Sequence, residues 1–600
     1  MKQKLFVPLL ITILVIALLV GLLLLWASFQ PFETLASLLN QLASDGKLES
    51  FNLSLYQILK LPLAAIGLAL VIASGTLLFR WKKTKSWLQG FPVQAKTFFS
   101  MLGKDSQSFI KDARSGISSQ GRLTNIALLG AMLVAVILRL ANLNIILGHD
   151  EAYMYNAFAS RSFWHMVTNY HLPNNHVLLS ILIKLVTGLL GNHVWTLRLP
   201  TILAGVFMVP AAYFFAKRIY SQETAVLSSI LVAIFPILVQ YSVLARGYII
   251  IGLVTLLLFI VGDYVRTQNN RFAWLLIAVL SALGFYTIPI MLFPFGALYI
   301  WLFVSWVVSD TPAYAPRSNF LKYWVGSGIS AALGTIILYM PIIIYSSDDF
   351  FGNGFIAPLK WDIFPITTWT RLRNTWTDWT MSIPLWIVLL GVLGLLLSLV
   401  FHKKFSGGKF PPQLAFILWI ATLLFARRPD MLPRFWLFLA APLLVWSAAG
   451  LIESLRRIPV KFGKSWNPAQ VFVGIIFTFV LAQSLLSIPT LSTQLGQKDE
   501  LESAVLYLKD HVDQSDLVTA GTARLPALRY YFNYYGIPSG YIRQSGKFQR
   551  AFIIVDRQKG ETLEVVAPKM GFDFPVIDME SAKVLVQFEH ITIYECYPAP

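Results

Sequence analysis

The feature that most constrains this chain is the grouping of its apolar residues. They do not fall at the spacing of amphipathic helices but run in near-continuous blocks, of which 1–26, 61–79 and 123–147 are examples. About 20 apolar residues is the length a helix needs to cross the hydrocarbon of a bilayer. Within lipid the backbone must satisfy its own hydrogen bonds, so such blocks are helices. Charged residues make up 13% of the sequence, against about 25% in an ordinary soluble protein. The fold class expected is an all-α polytopic membrane protein.

The blocks are placed at 5–26, 61–79, 124–146, 195–215, 222–241, 248–265, 272–287, 289–307, 323–345, 384–401, 411–426, 435–453 and 469–489, about thirteen spans by the bilayer-length criterion. The turn around 286–289 is the weakest boundary, because Pro289 sits between two apolar runs. The net charge is +18, which would suit nucleic acid, but its distribution speaks against that partner. Basic residues gather in short loops: Lys82, Lys83 and Lys85; Lys217 and Arg218; Lys403 and Lys404; Arg456 and Arg457. That is the pattern of cytoplasmic loops. It puts the N-terminus inside, and 147–194, 346–383 and 490–600 outside. The protein is thus expected in the plasma (inner) membrane as a multi-pass chain. Its first span, preceded by Lys2 and Lys4, is longer than the apolar region of a signal peptide and reads as uncleaved.

Three segments fall outside this scheme. Val177–Leu190 is short for a span and contains Lys184; if it crossed, Lys217 and Arg218 would end up outside, so it is expected to lie at the outer face. Segment 81–122 mixes lysines with Trp87, Phe91, Phe98, Phe99 and Phe109, which fits a helix on the inner leaflet or, equally, a mobile linker. The tail reads as a small α/β domain, with a helix over 499–511 and strands at 517–520, 551–555 and 591–594. The expected organisation is 1–123 (two spans and a basic segment), 124–489 (membrane core) and 490–600 (extracytoplasmic domain). The one cysteine, Cys596, permits no intramolecular disulfide.

The polar residues that could carry chemistry sit beside the blocks. Asp150 and Glu151 follow the third span, at a depth where an ionisable pair is a functional candidate; Asp150 could also simply cap the helix expected over 151–167. Asn174, Asn175 and His176 precede the short apolar run and could orient a polar substrate, or form a turn and a cap. Arg246, in the segment 241–248 ending at Tyr248, could grip a phosphate through its planar guanidinium or snorkel to headgroups. Arg427, Arg428, Asp430 and Arg434 put several cations on the outer face, against the charge rule; an anionic ligand would explain them, with Asp430 pairing one.

Taken in order, Asp150-Glu151-Ala152, Asn174-Asn175-His176, Leu197-Arg198-Leu199-Pro200 and Ala245-Arg246-Gly247-Tyr248 resemble glycosyltransferase family 39 over 124–450. That family includes protein O-mannosyltransferases and the transferases that add aminoarabinose to lipid A, within the GT-C superfamily. The resemblance implies a GT-C fold with interfacial helices in the first large outer loop, a polyprenyl-phosphate-sugar donor, and Asp150 as catalytic base. The two spans before residue 124 depart from the pattern.

On this reading Asp150 and Glu151 are catalytic, and Asn174, Asn175, His176, Arg246, Tyr248, Arg427 and Arg434 bind substrate. The reaction would be an inverting glycosyl transfer from lipid phosphate to an acceptor (protein, lipid or glycan) outside the cytoplasm. No cofactor is required. A divalent metal is compatible with Asp150, Glu151 and His176, but three such residues make no metal motif. Two other classes compete: a lipid or glycolipid flippase or transporter, which would favour paired halves and broken midplane helices, and a non-catalytic component of polysaccharide assembly.

Overall fold

The computed structural model describes residues 2–41, 53–143, 146–172, 174–352, 357–459, 468–486, 500–542, 548–567 and 577–599. They form two compact units, Met1–Asp112 with Ser346–Phe355, and Ala113–Tyr345 with Ile356–Pro600.

The first unit is a hairpin of helices Lys2–Phe29 and Leu53–Phe79. They cross at two glycines: a Cβ on Gly21 would lie 2.9 Å from Leu70 Cβ, and one on Gly67 would lie 2.8 Å from Gly21 O. Small residues let backbones approach where no hydrophobic effect drives helices together. The Tyr56 hydroxyl closes the hairpin by donating to Gln30 O at 2.5 Å. Segment 81–122 contains one long helix, Trp81–Ser118, with Phe98, Phe99, Met101, Ile110 and Ile117 exposed. The reading as a linker is therefore replaced by a helix.

The second unit is a helical bundle with a small sheet domain. Val194–Ile219 packs against Val177–Leu190, Gln222–Ile234 and Tyr248–Thr267. The described residues of each of the thirteen apolar segments are helical over most of their length. Among the described residues of the whole chain, eight helices are long and apolar enough to cross a membrane, or up to ten if each of two bent pairs is one span. The chain is a multi-pass membrane protein. Arg271–Thr287 and Pro412–Arg427, with 17 and 16 residues, fall short of that length.

Three expectations change in detail. The span placed at 222–241 is two helices, Gln222–Ile234 and Pro236–Ser242, bent by 58°. Pro236 removes a donor and forces Phe235 out of the helical region (ψ 119). The span placed at 124–146 ends at Ala141, where the Asn142 amide donates to Leu138 O at 2.7 Å. The helix expected over 151–167 is broken into an α-helix His149–Met154, a π turn Tyr155–Ala159 and a helix Phe163–Thr168 that Ser162 caps. π turns inside helices are frequent at functional sites. The chain then reaches Val194–Ile219 through Gly191, whose φ of 86° suits a residue without a Cβ.

The tail is an α/β fold. Strands β1 (Asp516–Ala520), β2 (Arg550–Asp556), β3 (Ile577–Gln587) and β4 (Ile591–Pro598) form a sheet in the order β1-β2-β4-β3. β1 and β2 are parallel and the other pairs antiparallel. Parallel pairing needs a crossover, and helix Leu525–Tyr534 lies in it. β3 extends the three strands read from sequence; its pattern of exposed and half-buried residues leaves little apolar signal.

Helix Leu385–Val400 crosses Leu437–Leu455 at Gly394 and Gly450, where a Cβ on Gly450 would overlap the Gly394 backbone. Overpacking such a crossing costs about 1–3 kcal/mol or more. Gly450→Val should therefore lower the thermal midpoint of the purified protein in detergent by several degrees. Gly474→Val, at a helical glycine with nothing within 4 Å of its added Cβ, should leave it unchanged.

Candidate active site

Asp150 and Glu151 are neighbours on the six-residue helix His149–Met154. Successive helical residues point about 100° apart, so the pair cannot share one environment. Glu151 turns inward and is 2% exposed. Its carboxylate is fully engaged: Arg198 Nε and Nη2 donate to it at 3.1 and 2.9 Å, the backbone N–H of Ala245 at 2.6 Å and that of Gly148 at 3.1 Å. Arg198, itself wholly buried, also donates to Leu143 O and Ile146 O. One buried carboxylate thereby joins the first loop, the start of helix Val194–Ile219 and the segment before Tyr248.

Asp150 turns the other way, with its side chain 39% exposed. Its Oδ2 lies 3.6 Å from Arg246 Nη2 and 3.5 Å from Arg434 Nη1, and its Oδ1 lies 3.4 Å from His149 Nδ1. Partial burial alone would raise this carboxyl. Arg246, Arg434 and His149 outweigh that and hold it below its ordinary value, so it is ionised at neutral pH.

His176 is buried against the same cations. Its Nδ1 accepts from the Gly247 N–H at 2.9 Å, so the proton of the neutral ring is on Nε2. Nε2 is buried without a partner among the described residues. Burial first, then Arg246 and Arg434, push the imidazole well below its ordinary value, so it stays neutral. Gly247 must be a glycine here: a Cβ would lie 2.7 Å from Thr287 Cγ2 and 3.1 Å from His176 Nδ1.

The two arginines also carry unpaired donors. Arg246 gives Nη1 to Asn174 Oδ1 and stacks over Tyr248 at 5.7 Å, while its Nε and that of Arg434 are buried without a partner among the described residues. Tyr248 forms an aromatic floor with His176, Tyr241 and Phe435, at centroid distances of 5.3, 6.1 and 6.0 Å.

Six of the nine candidate residues thus surround one point: Asp150, Asn174, His176, Arg246, Tyr248 and Arg434; Glu151 turns away from it onto Arg198. Asn175 is spent on its own loop. Its Nδ2 donates to Met166 O and Asn169 O, both at 2.9 Å, and its Oδ1 accepts from Ser180 Oγ at 3.0 Å. Arg427 is exposed at the end of helix Pro412–Arg427 and is not among the groups paired with Asp150. Asp430 pairs with Arg371, at 2.7 Å through both oxygens, rather than with the cations beside it. Arg198 was visible in sequence only as part of a motif; the signal for its role is an arginine inside an apolar run, which must find a partner.

The metal-compatible set is not assembled, because Glu151 is committed to Arg198 and two backbone donors. Among the described residues, the ligating atoms of Glu500, Glu589 and His590 do lie within 4.8 Å of one another in the sheet domain. There Glu500 already accepts from the N–H groups of His590 and Ile591 at 2.8 and 2.9 Å.

Residues 175–315 match a family model described as dolichyl-phosphate-mannose-protein mannosyltransferase. No curated protein is matched. Among solved structures, the chain is similar to ArnT from Cupriavidus metallidurans in the apo state (9% identity, TM-score 0.48, 79% of this chain and 98% of that one). It is similar to the same protein bound to undecaprenyl phosphate (10%, TM-score 0.45, 79% and 98%). It is also similar to the oligosaccharyltransferase AglB from Archaeoglobus fulgidus in complex with an inhibitory peptide and a dolichol-phosphate (13%, TM-score 0.40, 73% and 70%). Nothing about this chain's chemistry follows from likenesses at that level.

The two acidic neighbours should separate in a stability measurement. Removing one partner of a buried ion pair costs about 3–5 kcal/mol, so Glu151→Gln should strongly lower the unfolding midpoint. Asp150→Asn, at the exposed carboxylate, should unfold close to wild type.

Proposed function

We propose that the chain is an inverting membrane glycosyltransferase of the GT-C kind. It would move a sugar from a polyprenyl-phosphate-linked donor to an acceptor at the extracytoplasmic face of the plasma membrane. The observation that carries this reading is the arrangement at Asp150: an ionised carboxylate beside the guanidinium groups of Arg246 and Arg434, which, with the neutral His176 imidazole packed against the same segment, keep buried donors without a partner among the described residues. A carboxylate there has the reach of a general base, and the surplus donors suit a phosphate. The family model adds support, because its description names a dolichyl-phosphate-linked mannose donor and its match includes His176, Arg198, Arg246 and Tyr248. The order of the four motifs along the sequence supports the same family.

Asp150 takes the proton from the acceptor hydroxyl or amine as that atom attacks the anomeric carbon. The bond from that carbon to the phosphate oxygen breaks, and the lipid phosphate leaves with the electron pair. Arg246 and Arg434 neutralise the departing charge, and the His176 Nε2–H donates a hydrogen bond to it. A phosphate leaves without protonation, so the neutral His176 need only donate a hydrogen bond. One direct displacement inverts the anomeric configuration. Glu151 holds the geometry and does not touch the reactants. The positive-inside pattern of the sequence supports a site outside the cytoplasm, with the N-terminus inside and the sheet domain outside.

The test is transfer from a radiolabelled polyprenyl-phosphate sugar by the purified full chain. A general base contributes about 10²–10⁴-fold, so Asp150→Asn should lose that much while staying folded. Wild-type transfer rates in Asp150→Asn would overturn the assignment, and movement of intact donor across vesicles without transfer would favour the flippase. The acid limb of the rate profile gives a second check. Arg434 lowers the Asp150 carboxyl, so Arg434→Gln should raise it, the base should be lost at higher pH, and the limb should move up.

A further inference from the structure

Arg434 reaches Asp150 from the single turn Pro433–Trp436, and one turn by itself does not hold a guanidinium at a fixed distance. What fixes this one is a second segment. Helix Phe364–Thr380 turns by 115° into the apolar helix Leu385–Val400, and it exposes Ile366, Trp369 and Trp376. From its other face Arg371 reaches out and forms a bidentate pair with Asp430, Nε to Oδ1 and Nη2 to Oδ2, both at 2.7 Å. Upstream, Leu359 and Arg428 exchange two hydrogen bonds: Leu359 N–H to Arg428 O and Arg428 Nε to Leu359 O, each at 2.9 Å. The Arg428 guanidinium stacks 4.5 Å over Trp361. Arg428 takes up this position in the left-handed region, at φ 43°, which costs energy for a residue with a side chain. The turn Pro433–Trp436, which follows directly, packs on helix Phe364–Thr380 and carries Arg434 towards Asp150 and Phe435 onto Tyr248.

We propose that the Arg371–Asp430 pair is a latch that positions Arg434, so that the tryptophan-bearing helix Phe364–Thr380 sets the cation geometry at Asp150. This rests on the proposed function. Neither Arg371 nor Asp430 touches the reactants; both act through Arg434. A bidentate pair fixes two directions at once, which one hydrogen bond at the loop would not. The exposed apolar face of the helix is suited to the membrane interface. A disturbance of that face would therefore be felt at the site.

The experiment is a double-mutant cycle in the full chain with Arg371→Gln, Asp430→Asn and the double variant, and with Arg371→Lys as the conservative control. The latch predicts that each single variant raises the donor concentration needed for half-maximal transfer by about tenfold and also lowers the rate at saturating donor, because Arg434 stabilises the departing charge. It also predicts that the acid limb moves up, because Asp150 loses Arg434. The double variant should equal either single one, since one link is broken each time, and Arg371→Lys should recover part of the effect. Additive shifts would overturn the proposal, as would an unmoved limb and donor requirement in folded Asp430→Asn. Binding of undecaprenyl phosphate to the wild type separates this from the reading beneath it. If the wild type does not bind that lipid, the phosphate reading fails. The latch is then decided by the Asp150 carboxyl itself, titrated as the infrared difference between a protein and its Asp150→Asn partner. In the Asp430→Asn background an upward shift upholds the latch, and no shift rejects it.

Discussion

The site depends on a buried pair of charges, Glu151 and Arg198. Moving two ions out of water costs several kcal/mol each, and their mutual attraction offsets this only when every remaining polar atom is also satisfied. Two guanidinium nitrogens and the N–H groups of Gly148 and Ala245 share the carboxylate, and Leu143 O and Ile146 O each accept a further arginine N–H. The stability gained from such a pair is small, but its directionality is large. It fixes where helix His149–Met154 begins, and therefore which way Asp150 points. It also fixes the backbone at Ala245, one residue before Arg246. Three segments distant in sequence are brought into register by one side chain that does no chemistry.

Much of the fold was legible because a bilayer imposes a single length on every crossing helix. The described residues of all thirteen apolar blocks are helical over most of their length, and the three strands and the helix read in the tail are present. Less legible were features that depend on contacts across the chain. Asp150 and Glu151 are equivalent in sequence, and only the helical rotation between them sends one to Arg198 and the other to Arg246 and Arg434. Asn175 and His176 are likewise neighbours, yet one amide closes a loop while the imidazole faces the cations. The Arg371–Asp430 link spans 59 residues, so nothing local favours it over Asp430 pairing with Arg427 or Arg428. Arg427 itself follows the helix it ends and stays outside.

A second buried arginine explains how a broken helix can be kept inside an apolar bundle. The break at Pro236 leaves backbone groups of helix Gln222–Ile234 without intrahelical partners. Arg139, wholly buried, donates Nη1 to Ala233 O at 3.1 Å, just before the break, and to Ala135 O in its own helix at the same distance. Gly205 makes room for it, since a Cβ there would lie 2.8 Å from Arg139 Nε. The short helix beyond the break, Pro236–Ser242, leads directly into the segment carrying Arg246. Proline, glycine and arginine, each costly in a membrane helix alone, together make a fixed elbow.

The balance of charge at Asp150 bears on how the proposed reaction would be timed. In the structure the carboxylate faces two guanidinium groups, which makes it a weak base: they stabilise its ionised form and so lower its affinity for a proton. A phosphate arriving among the same donors changes that. Its negative charge draws on Arg246 and Arg434 and opposes their field at Asp150, so proton affinity rises at the moment an acceptor must be deprotonated. Once the bond to the anomeric carbon begins to break, negative charge grows on the phosphate oxygen, and the guanidinium groups stabilise it more strongly than in the ground state, as catalysis requires. The same two cations would thus keep Asp150 ionised before binding and release its basicity on binding. This requires them to stand within 3.6 Å of the carboxylate without being consumed by it, which the Nε donors that have no partner among the described residues permit.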